Sequence, residues 1–131
     1  MRLYTESEAR ALLPEVAPVL ERLRNAFLGL RALNAAVSSD ARGASGDGNL
    51  VATPWGHTEG ENLADKLGSE LRSAAAQLER WGIQLKDPEK GLIDFYHERE
   101  GVVVYLCYML GEGDIAYWHR TDTGFAGRQP L

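Results

Sequence analysis

The stretch GLIDFYHEREGVVVYLCYMLGEGDIAYWHRTDTGFAGRQPL, residues 91–131, decides the fold. Short apolar runs alternate in it with glycine-bearing turns, the pattern of successive strands rather than of helix. Residues 92–97 read as one strand, 98–101 as a hairpin turn, and 102–109 as a strand apolar on both faces. A strand of that kind belongs in the middle of a sheet. Gly111 and Gly113 suit a second tight turn over 111–114, and residues 115–119 form a further strand. Just upstream, Ile83 and Leu85 alternate with Gln84 and Lys86, which fits a short edge strand that Asp87-Pro88 ends.

Towards the N-terminus the apolar period changes from two to alternating three and four. Over residues 5–37, Ala9, Leu13, Val16, Leu20, Leu23, Phe27, Leu30, Asn34 and Val37 keep one seam on one side of a helix. Leu12, Val19, Ala26 and Leu33 widen the seam into a broad face. Thr5 and Glu8 have the spacing of a capping box. Pro14 and Pro18 each remove an amide and crowd the carbonyl four residues back. A short first helix to about Leu12, a bend, and a long helix from near Pro14 are therefore expected. A second helix over 58–81 follows from Ala64, Leu67, Leu71, Ala74, Leu78 and Trp81, with Gly82 placed to close it. Between them, about 38–58, the chain is rich in Gly, Ser and Asp and lacks a period, so a flexible loop is expected. The fold class is α+β: a long antiparallel helical hairpin, about 5–81, packed on a small, mainly antiparallel sheet of three or four strands within one domain over 1–131.

The totals narrow the function. A length of 131 residues with 44% hydrophobic and 25% charged residues suits one soluble domain. A net charge of −5 argues against nucleic acid and against an anionic membrane surface. No apolar run reaches the length of a membrane span, and the first residues hold no apolar stretch of the secretory kind. Cys107 is the single cysteine, so an intrachain disulfide is excluded. Together these features point to a cytoplasmic protein. The breadth of the first helix's face, wider than one partner helix covers, points to a homodimer.

Polar groups among apolar and aromatic neighbours mark the candidate site: Asp94, Glu112, His119 and Arg128 as ligand-binding residues. Asp94, Cys107 and His119 carry the carboxylate, thiol and imidazole that a divalent metal takes, although no CxxC or HExxH motif supports them. The plainer reading makes the same three a hydrogen-bonded structural set. A dyad of His119 with Asp94 would need a nucleophile, and a thiol on a two-faced apolar strand is inert. No catalytic residue is assigned. Gly124 and Gly127 beside Arg128 could form an anion-binding nest. Alternatively, Arg128 ties the tail to Asp94 or Glu112. His57 and His97 read as solvated. Two function classes remain: a non-catalytic module that self-associates through its helices, and a small-molecule, anion or metal-binding protein, or an enzyme, with its site in the C-terminal cluster.

The segments EARALLPEV (8–16), GLIDF (91–95), LCYMLGE (106–112), YWH (117–119) and GFAGRQPL (124–131), in this order, resemble an uncharacterised bacterial family catalogued as domain of unknown function 2203. Tyr108-Met109 stands where many of its members have Trp-Arg, which removes one cation from any anion site built there. The resemblance implies kinship and no established activity.

Overall fold

The computed structural model describes residues 1–43 and 59–131. Two helices, α1 (Glu6–Gly43) and α2 (Glu59–Arg80), precede five strands: β1 (Ile83–Asp87), β2 (Leu92–Arg99), β3 (Val102–Met109), β4 (Tyr117–Arg120) and β5 (Gln129–Pro130). The strands form one antiparallel meander in the order β1-β2-β3-β4-β5. The architecture is the expected α+β hairpin on a sheet. The fifth strand comes from the tail, where Gln129 and Pro130 pair with Trp118 and Tyr117 and the Leu131 amide donates to the Ala116 carbonyl.

The capping box forms as its spacing indicates. The Thr5 amide donates to the Glu8 carboxylate and the Glu8 amide to the Thr5 hydroxyl, each at 3.0 Å. Backbone and side-chain hydrogen bonds from Thr5 lower the Glu8 carboxyl below its ordinary value. The break expected at Pro14 is absent, because α1 runs continuously through both prolines. Pro14 and Pro18 lie four apart on the exposed side of the helix. The carbonyls they leave without a donor, those of Arg10 and Pro14, belong to exposed residues, where water can replace the missing amides. On the opposite side Ala9, Leu13, Val16, Leu20 and Leu23 are buried, and their packing holds the helix together. Residues 38–43, expected as the start of the loop, continue α1. The rest of that expected loop, with Trp55 and His57, lies outside the described residues.

Glu100 and Gly101 both adopt positive φ, 53° and 79°, and close the β2–β3 hairpin as a two-residue turn. That geometry matches the twist of the flanking strands. From it the register follows: Arg99 pairs with Val102 and, stepping back, Phe95 with Leu106 and Asp94 with Cys107. Period-two alternation then divides the sheet. Ile83, Ile93, Phe95, Leu106 and Tyr108 face the helices and join Leu13, Val16, Leu20, Leu23, Ala74 and Leu78 in one core. Tyr4 seals its edge, with its ring 5.2 Å from Phe95 and its hydroxyl bonded to the Trp81 carbonyl. Part of the broad face of α1 is thus used within one chain: Leu12 and Val19, two of the four residues that widen it, pack against the core. Among the described residues, no helix is long and apolar enough to cross a membrane.

Candidate functional site

The face of the sheet turned away from the helices carries the polar cluster. Asp94 lies between Ile93 and Phe95, both of which point to the core, so alternation sends its carboxylate to the other face. One rank across the strands runs Gln84, Asp94, Cys107, Tyr117, and the next runs Tyr96, Tyr105, His119. Directly paired side chains of neighbouring strands stand about 5 Å apart. The sheet therefore fixes these groups against one another without help from a loop.

His119 Nε2 lies 3.0 Å and 3.1 Å from the two oxygens of Asp94, and His119 Nδ1 lies 2.8 Å from the Arg120 carbonyl oxygen. A carbonyl only accepts, so Nδ1 carries hydrogen and donates to it. Nε2 faces a carboxylate that also accepts, so one proton must lie between ring and carboxyl, on one or the other. Asp94 is 1% exposed, His119 2% and Cys107 1%. Burial raises the Asp94 carboxyl above its ordinary value, against the lowering effects of His119 and of the hydrogen bond with Cys107. Burial, reinforced by the Asp94 charge, pushes the Cys107 thiol up to about 12. The thiol is therefore neutral at ordinary pH and unreactive as a nucleophile.

Arg128 forms a second unit. Its Nη1 and Nη2 donate to Glu112 Oε2 and Oε1 at 2.8 Å and 2.6 Å, a bidentate fork. Glu112 Oε1 also accepts the Met109 amide at 2.7 Å. The guanidinium lies 4.2 Å from the Tyr117 ring centroid and 4.6 Å from that of Phe125. Arg128 Nη2 reaches the Cys107 carbonyl at 3.5 Å, and this contact joins the two units through the backbone of β3.

The four candidate residues thus resolve into two pairs, Asp94 with His119 and Glu112 with Arg128. Arg128 ties the tail to the sheet through Glu112 and not through Asp94. Nor does the GFAGR segment turn all its amides outward, since Gly127 and Arg128 donate to the Gly124 and Phe125 carbonyls. His97, read as a solvated residue, is half-buried, with Nδ1 2.7 Å from the Tyr4 carbonyl oxygen. Aromatic neighbours are expected from the sequence, but Gln84, Lys86 and Tyr96 are not. Gln84 donates to the Tyr96 hydroxyl and accepts from that of Tyr105, and the Lys86 ammonium sits 4.6 Å above the Tyr105 ring. The signal that could have found it is the two-residue turn at Glu100-Gly101, which sets the ranks.

The fold and its two pairs, one buried and one partly buried, define a class, an α+β domain in which a helical hairpin covers one face of an antiparallel meander and the other face holds a closed polar cluster. The chain belongs to a family of uncharacterised conserved proteins, DUF2203, whose model matches residues 2–131. No curated protein and no solved structure matches it.

Proposed function

We propose that this domain is a non-catalytic interaction module that self-associates through the far end of its helical hairpin. The observation that carries the reading is that the hairpin outruns the sheet. The buried helix residues of the common core end at Leu23 on α1 and begin at Ala74 on α2, with Leu71 packed at its margin. Beyond them α1 continues to Gly43, and α2 reaches back to Glu59. In this distal part the two helices lie close, with Leu67 against Gly29. Phe27, Leu28, Leu30, Leu33 and Leu67 are only half-buried, and Leu63 is 44% exposed. Two such hairpins packed distal end to distal end would bury these leucines as a four-helix bundle. The closed condition of the polar cluster supports the non-catalytic side of the reading, since Asp94, Cys107 and His119 use their hydrogen-bonding groups on one another. A lone, buried, unpaired Cys107 suits a cytoplasmic setting for the module.

Light scattering during size exclusion tests this at micromolar concentration. The expected wild-type species is a dimer. A double variant, Leu30→Glu with Leu63→Glu, is expected to run as a monomer with an unchanged circular dichroism spectrum. A monomeric wild type, or a double variant that remains dimeric, contradicts the proposal.

A further inference from the structure

We propose that Asp94, Cys107 and His119 form a three-ligand site for one divalent transition ion of the zinc class. The inference goes beyond self-association and is independent of it, because it concerns the opposite face of the sheet. One oxygen of Asp94, the sulfur of Cys107 and Nε2 of His119 lie within 4.8 Å of one another. Around a tetrahedral zinc the same atoms would stand about 3.3–3.6 Å apart, as bond lengths of about 2.0–2.3 Å require. Side-chain adjustments of about 1 Å therefore bring the set onto one ion, and no strand has to move.

The surroundings suit a metal in two further ways. The Nδ1–H of His119 is held by the Arg120 carbonyl. That contact fixes ring orientation and tautomer and aims the Nε2 lone pair into the cluster, the usual outer contact of a metal-bound imidazole. The two anionic ligands, carboxylate and thiolate, also match the charge of a divalent ion, so the occupied site is neutral overall. Arg128, already paired with Glu112, adds no net charge beside it. The exchange balances: the ion enters, and the thiol proton together with the proton held between Asp94 and His119 leaves to solvent. A sulfur ligand selects zinc, cobalt or ferrous iron over magnesium and calcium, which prefer all-oxygen shells. Three protein ligands leave the fourth tetrahedral position for water or another donor.

The test uses the full chain, stripped with chelator and then given Zn(II) or Co(II) alone. Native mass spectrometry should show one zinc per chain, and Co(II) should produce a thiolate-to-metal charge-transfer band. Cys107→Ser should abolish the band, and His119→Gln should weaken binding by more than about tenfold. Circular dichroism checks that each variant is folded. Should either variant fail to fold, thermal unfolding of the chelator-stripped wild type with and without Zn(II) replaces it. Zinc is expected to raise the Tm, because an ion that binds only the folded chain stabilises it. The proposal is overturned if folded wild-type protein retains no stoichiometric zinc, if the Co(II) spectrum lacks a thiolate band, if binding survives both substitutions, or if zinc leaves the Tm unchanged.

Discussion

Replacing Arg128 with alanine removes the only guanidinium that bonds the tail to Glu112 among the described residues, and the cost can be worked from the contacts. The side chains of Arg128 and Glu112 are 11% and 18% exposed, so truncation leaves a largely buried carboxylate holding the Met109 amide alone. Stranding a buried polar partner costs about 1–3 kcal/mol. Loss of the cation over the Tyr117 and Phe125 rings adds about 0.5–1 kcal/mol for each ring. Against this, the buried Nε of Arg128 has no acceptor among the described residues, and deleting it relieves a penalty of about 1–3 kcal/mol. Taking the middle of each range, the net expectation is a loss of about 1.5 kcal/mol, or a Tm lower by about 5–8 °C for a domain of this size. Thermal and urea unfolding of wild type and Arg128→Ala, each with and without phosphate, supply the measurement. Glu112→Gln should destabilise in the same direction, and the double variant should fall short of the sum of the singles. The reasoning is refuted if Arg128→Ala unfolds within about 0.5 kcal/mol of wild type while phosphate stabilises only the wild type. That pattern would mark Arg128 as an anion ligand.

Three further outcomes are expected. Leu23→Glu should unfold the chain rather than separate two copies, because Leu23 is fully buried in the common core; a folded monomer by circular dichroism and light scattering would contradict this. Gly91→Ala should cost about 2–4 kcal/mol in urea unfolding, combining left-handed strain with overpacking, since φ there is +65° and an added Cβ would lie 2.5 Å from Leu110 Cδ1; a stable variant would refute the contact. The metal-free domain should lose stability from pH 9 towards 12. The raised Cys107 thiol stays protonated in the fold while the unfolded chain ionises near 9.0, so its contribution is complete below that value and is lost as pH rises to the folded one. Cys107 alone contributes a slope of at most about 1.4 kcal/mol per pH unit, and Cys107→Ala should flatten the profile relative to wild type in pH-dependent urea unfolding.

Much of the fold is legible in the sequence. The capping box, the core positions of α1, the end of α2 and the span of β3 could be read from periodicity and punctuation, because each depends on neighbours in sequence. The cluster was legible in membership but not in pairing. Asp94, Glu112, His119 and Arg128 stood out as polar groups in apolar company, yet which meets which depends on register. Register rests here on Glu100-Gly101, and Glu100 is not among the residues that favour positive φ. The turn therefore read as four residues over 98–101, and the ranks that bring Asp94 opposite Cys107 stayed out of view. The continuity of α1 was missed for a different reason. A proline's penalty depends on whether the freed carbonyl can reach water, and that is known only once the buried face is fixed.

The two outer strands bear on how the molecule behaves in crowded solution. A sheet with a free rim of amides and carbonyls invites strands from other chains, a route to fibrous aggregates. Here one rim is β1, only five residues long, broken by an irregularity between Leu85 and Asp87 and carrying the exposed Lys86 ammonium. The other is β5, two residues of which one is Pro130, with no amide to offer. Each rim spoils the template for an incoming strand. Removal of residues 129–131 would bare the Tyr117–Arg120 rim and should make the chain more prone than the intact one to precipitate on mild heating.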